Sequence, residues 1–182
     1  MQDKNKILIA LGLVGIATLG RLIPHPWNMT PVAAAATFAG VKLGKRFAVV
    51  VPLLAMFIGD TVIGFYNWHM LVVVYASMIV VGLIAYLSRK KEGVAIFLAR
   101  PIAASVLFFL TTNAAVCFFG TMYEHNGAGL LASYVAGIPF FGRDIAGNLL
   151  YTSLFFGAYE YMSQKISSTQ LTTKIETKIV SA

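Results

Sequence analysis

Thr30-Pro-Val-Ala-Ala-Ala-Ala-Thr-Phe-Ala-Gly-Val41 is the stretch on which the architecture turns. It is apolar and follows Pro24-His25-Pro26-Trp27-Asn28. A helix that crosses a bilayer core takes about 20 residues, so length alone argues against a crossing here. Longer apolar runs flank it at 7–23, 47–65, 70–87, 101–120 and 145–162. Charge decides the matter. With the N-terminus in the cytoplasm and all six runs crossing, 12 of the 14 Lys and Arg fall on the cytoplasmic side, among them Lys42, Lys45, Arg46 and Arg89, Lys90, Lys91. Only Arg21 and Arg143 fall outside. That is the bias cytoplasmic loops carry. If residues 30–41 did not cross, both basic clusters would move to the exterior and the bias would reverse. The short run therefore reads as a span, with the loop before it sheltered by protein.

Composition points the same way. Apolar residues make up 58% of the 182-residue chain and charged residues 12%, against roughly 25% charged in a soluble domain. The mean hydropathy is +0.78. Six spans of about 20 residues leave short loops and no room for a soluble catalytic domain. The predicted organisation is all-α and polytopic: a six-helix transmembrane domain over 1–165, then a polar, mobile cytoplasmic tail over 166–182. The segment 127–141, interrupted by Gly137 and Pro139, is expected to lie over the outer face as an interfacial or re-entrant helix. The net charge of +7 reports the loop bias rather than a nucleic-acid partner. Cys117 is the only cysteine, which excludes an intramolecular disulfide and a cysteine-based zinc site.

Two sets of residues invite a functional reading. Small residues recur at four-residue spacing in Ala35/Ala39 and Ala36/Gly40, and Gly12 lies in the first span. Such spacing lets helix backbones approach closely, either inside this bundle or against a partner subunit, and these five residues form the candidate docking face. The second set is polar. Asp60, Asn113, Asn148 and Tyr151 lie toward the outer ends of their spans, with Arg21 at the outer end of the first. Arg21 is the candidate partner of Asp60, since a charge within the membrane calls for one; the alternative is that both reach the interface. Counted from the outer ends, Asn113 and Asn148 fall at similar depth. No ionisable group is expected near the midplane. Both Trp and all three His occupy outer loops, which suits an interfacial aromatic belt.

No Gly-x-Ser-x-Gly, His-Glu-x-x-His or Walker loop is present, and each would be needed for its hydrolase or nucleotide chemistry. The expectation is a protein that is not an enzyme and holds no cofactor or metal.

Residues 21–40, Pro52 to Asp60, Leu107 to Asn113, Tyr134 to Arg143 and Gly147 to Thr152 resemble an uncharacterised bacterial membrane-protein family. That family is similar to the substrate-binding S components of energy-coupling factor vitamin transporters. The resemblance covers most of residues 21–157. It implies an S-component-like bundle with a short second helix, an outward-facing small-molecule pocket, and docking on a transmembrane coupling subunit driven by ATPases. S components dock through small residues of the first helix; here the alanine run is on the second. The pocket it implies is lined by Arg21, Trp27, Asn28, Asp60, Asn113, Tyr134, Asn148 and Tyr151. The expected location is the bacterial cytoplasmic membrane, with both termini cytoplasmic and lipid around the spans. The competing expectation is a structural subunit of a larger membrane complex.

Overall fold

The computed structural model describes residues 3–24 and 28–180, with side chains beyond Lys165 described only at Ser168. Among them the secondary structure is entirely helical: α1 (Asp3–Leu22), α2 (Val32–Phe38), α3 (Lys45–Ile63), α4 (Trp68–Leu87), α5 (Val94–Phe119) and α6 (Gly127–Val180). α2 runs on into a wide π turn, Ala39–Leu43. Four of the helices, α1, α3, α4 and α5, are long and apolar enough to cross a bilayer; Val32–Leu43 is a shorter apolar helix.

The small residues explain how these helices assemble. α1 packs on α3, α3 on α4, α4 on α5 and α5 on α6, while α2 touches all five. Among the described residues α1 and α6 do not pack on each other. The bundle is thus an open ring around a short central helix, and every residue of α2 is buried. Only a helix clad mainly in alanine can be surrounded at close range without displacing its neighbours. Backbones meet at one waist. A Cβ added at Gly40 would strike the Gly82 carbonyl and lie 2.9 Å from Tyr86 N, and one added at Gly82 would strike the Ala48 carbonyl. The reversal from α2 into α3 occupies the single residue Gly44, whose φ of 110° suits glycine because it lacks a Cβ.

This arrangement corrects the docking reading. Ala35, Ala36 and Ala39 are 0% exposed, and Gly40 is enclosed against α4. They hold α2 inside the ring and present nothing to a partner. Of the five residues, Gly12 alone lies on open surface.

The reading of 127–162 as two separate pieces is also corrected. α6 is one helix antiparallel to α5, and contacts between the two run along the length of α5. Ser133 Oγ donates to Asn113 O at 3.1 Å, Tyr134 Oη to Leu110 O at 2.9 Å, and Asn148 Nδ2 to Ser105 Oγ at 2.8 Å. Phe156 meets Phe97 edge-on at 5.7 Å. Gly137, read as an interruption, provides space: a Cβ there would collide with the Asn113 amide. The depth estimate changes accordingly. Asn148 pairs eight residues along α5 from Asn113, about 12 Å away. No break separates the domain from the polar tail, because α6 continues to Val180.

Gly82→Ala is expected to lower the unfolding free energy in detergent by about 1–3 kcal/mol through overpacking. Gly12→Ala, with open space around it, should leave stability unchanged or raise it by up to about 1 kcal/mol. Chemical denaturation of the two variants in the same micelles makes the comparison.

Candidate functional site

The ends of α1 and α3 meet at a buried ion pair. Arg21, in the last turn of α1, donates through Nη2 to Asp60 Oδ1 and through Nη1 to the Met56 sulfur. Tyr75 Oη, from α4, donates to Asp60 Oδ2 at 2.7 Å. Asp60 is 1% exposed. Gly59 makes room for the arrangement, since a Cβ there would lie 3.0 Å from Arg21 Nε. The pairing inferred between Asp60 and Arg21 is thus present. Both carboxylate oxygens already hold a protein donor, so Asp60 fastens three helices and its charge is paired within the bundle.

Next to this pair lie two adjoining, half-open cavities of about 390 and 270 Å³ that share Asn28, Phe108 and Asp144 in their walls. The larger is bounded by Arg21, Thr30, Met56, Tyr66 and Met78, the smaller by Phe109, Asn113, Tyr123, Phe140 and Phe141. The mouth lies at Asn28 and Tyr66, both exposed, on the side of the loops after α1 and α3. Asn28 stands at a φ of 65°, a left-handed conformation that asparagine tolerates better than most residues. Burial, with the Asp60 charge second, pushes the Tyr66 hydroxyl up to about 12. It therefore faces the mouth as a neutral hydroxyl over the ordinary pH range.

Asp144 sits where the two cavities join. Asn148 Nδ2 donates to its Oδ2 at 3.0 Å and to Ser105 Oγ at 2.8 Å. Asn148 and Ser105 are buried at 2% and 0% exposure, and Asp144 is half-buried. Its height follows from the α5–α6 register. Phe141 packs on Phe109 at 4.6 Å between ring centroids, and Asn148 bonds Ser105, so Asp144 falls opposite residues 105–109. That is halfway along α5. The sequence reading did not place Asp144 within a helix. Taking 145–162 as the whole sixth span put Asp144 in a loop.

The predicted pocket is only partly assembled. Arg21, Asn28 and Asn113 line the cavities. Asn148 stands behind Asp144 as its hydrogen-bond donor. Tyr134 turns to the Leu110 carbonyl, and Tyr151 stacks on Phe155 at 6.5 Å; neither lines the cavities. Trp27 lies outside the described residues. The sequence reading missed Asp144, Phe108 and Phe109. A signal for the first was available: only three residues, Gly142, Arg143 and Asp144, separate the apolar stretches 127–141 and 145–162, too few for a surface loop between separate helices. The histidines do not converge in the described structure. His69 stacks on Phe119 at 4.9 Å and His125 Nε2 lies 3.1 Å from Gly120 O, while His25 is outside the described residues. Among the described residues no three His, Cys, Asp or Glu side chains gather as a metal site.

A helical bundle with four helices long and apolar enough to cross a bilayer is a membrane protein. The chain belongs to the family of unknown function DUF6580, which matches residues 1–171. No curated protein and no solved structure matches it.

Removing one partner from a buried ion pair typically costs about 3–5 kcal/mol, whereas replacing both with apolar groups is close to neutral. Arg21→Met alone should therefore destabilise the protein by about that amount, and Arg21→Met with Asp60→Leu should recover most of the loss. Equilibrium unfolding in detergent of both single variants and the double variant tests the coupling.

Proposed function

We propose that this protein is an S-component-like substrate-binding subunit for import of a small molecule, embedded in the bacterial cytoplasmic membrane. The observation that carries the reading is the chamber itself. It opens at one end of the bundle through Asn28 and Tyr66 and extends inward to Asp144. Chambers of this size, apolar with a few fixed polar groups, are the usual form of small-molecule sites. In this reading the chain crosses the membrane six times. Lys42, Lys45, Arg46 and Arg89, Lys90, Lys91 face the cytoplasm with both termini, and the mouth faces outward. Captured ligand passes inward when a partner tips or rearranges the loaded bundle. That partner is a coupling subunit with ATPases, because the sequence carries no nucleotide-binding loop. Arg21, Asn28 and Asn113 are the residues of the original pocket that keep a lining role.

A second reading, a structural subunit of a larger membrane complex, draws on Arg143. It is exposed beside Asp144 at mid-height on α6. A guanidinium at that depth is costly against lipid, so a neighbouring protein over this face of α6 would shelter it.

Two measurements separate these readings. With Cys117→Ala as background, an impermeant maleimide applied to intact cells should label Glu124→Cys and spare Glu92→Cys; the reverse pattern would turn the chamber inward. Native mass spectrometry of protein purified from its own membranes should show a bound small molecule, lost when Phe108→Trp fills the chamber. A chamber occupied only by lipid, together with stable copurification in a complex unrelated to transport, supports the second reading.

A further inference from the structure

We infer that the chamber binds an organic cation, a quaternary or protonated amine, with Asp144 as its counter-ion; this deepens the binding-subunit reading and rests on it. Consider first the charge inside the bundle. Among the described residues two carboxylates reach the interior, Asp60 and Asp144. Asp60 is neutralised by Arg21. Asp144 has no Lys or Arg within ion-pair distance among the described residues. The other ionic group of the chamber wall is Arg21, and it is committed to Asp60. The chamber therefore carries one unmatched acid at mid-depth, where such a charge is expensive and marks a functional site with a partner to be found.

Hydrogen bonding orients the Asp144 carboxyl group. Asn148 Nδ2 offers Asp144 a donor at 3.0 Å and is itself anchored to Ser105. This fixes the carboxylate at the join of the two cavities. The walls then indicate which cation fits. Phe108 borders both cavities, and Phe109, Tyr123, Phe140 and Phe141 border the smaller one. Aromatic faces attract cations through the ring quadrupole, more strongly when water is excluded. They offer little to a hydrated metal ion, which would seek oxygen ligands. Aromatic side chains in the same walls as one fixed carboxylate suit an alkylated or protonated nitrogen. The amides of Asn28 and Asn113 remain for polar groups elsewhere on the same molecule.

The test uses the full chain in detergent micelles, read by thermal unfolding and by isothermal titration. The probes are tetraethylammonium, benzyltrimethylammonium and choline, each paired with its uncharged carbon isostere, such as 3,3-dimethylbutan-1-ol for choline. At least one cation should raise the midpoint of unfolding in a dose-dependent manner while its isostere does not. Asp144→Asn should fold, with its own midpoint no lower than that of the wild type, yet bind that cation at least roughly tenfold more weakly. Asp144→Glu should retain part of the affinity, and Phe108→Ala should lose about three- to thirtyfold. If none of the cations binds, if isosteres bind equally well, or if Asp144→Asn binds unchanged, the inference is overturned.

Its failure is distinguishable from that of the importer reading. A copurified neutral or anionic molecule retained by Asp144→Asn would leave the importer standing and remove the cation. Asp144-dependent cation binding, with no change in cellular accumulation of radiolabelled probe on deletion of the gene, would do the opposite.

Discussion

The structure depends on enclosing one short helix on every side. α2 has no solvent- or lipid-facing residue, and its neighbours reach it only because Gly40, Gly82 and the alanines bring backbones together. In lipid the hydrophobic effect does little to drive helices together, and close van der Waals contact takes over. Alanine is well suited to this role because it favours the helix and adds little bulk. Phe38 is the exception that sets direction. It inserts against Phe155, Phe156 and Tyr159 with centroid separations of 6.5, 5.0 and 5.5 Å, and so ties the central helix to α6.

Polar side chains contribute to this packing selectively. Ser77, Thr111, Thr112 and Asn113 each bond a carbonyl one turn back in their own helix, which closes the group locally and leaves the neighbour's surface free for apolar contact. Polar side chains also bond from one helix to another. Arg21, Asp60 and Tyr75 join α1, α3 and α4, Ser77 meets Thr111, and Asn148 reaches Ser105. The two interior acids consequently differ in kind. Asp60 is used up in holding helix ends together. Asp144 is held from behind by an amide and faces space.

How much of this could be read from residues alone varies by element. The short second helix was legible from its apolar run of small residues, which the structure places at Val32–Leu43. The Arg21–Asp60 pair was legible too: two opposite charges near the same ends of apolar runs have few other partners. The α5–α6 hairpin was not. Gly137 and Pro139 look like helix breakers in isolation, and only the position of the Asn113 amide explains why a residue without a Cβ is needed there. That single misreading moved Asn148 along its helix, took Asp144 out of the interior, and left the aromatic walls unassembled. The alanine face misled for the opposite reason. Spacing alone marks a surface fit for close approach, and it cannot say whether the approaching helix belongs to the same chain.

The π turn at the end of α2 has an effect on phase. Gly44 N–H bonds Ala39 O, five residues back, at 3.0 Å, so one extra residue is accommodated in that turn. The added residue resets the angular sequence of side chains at the point where the helix leaves its alanine-clad section. Lys42 then points to α6, where it pairs with Glu160 at 2.6 Å and overlies the Tyr159 ring at 4.9 Å. One short rod is thereby indexed twice, for dense contact along most of its length and for electrostatic anchorage at its tip, and a lone inserted position does the work of a second element.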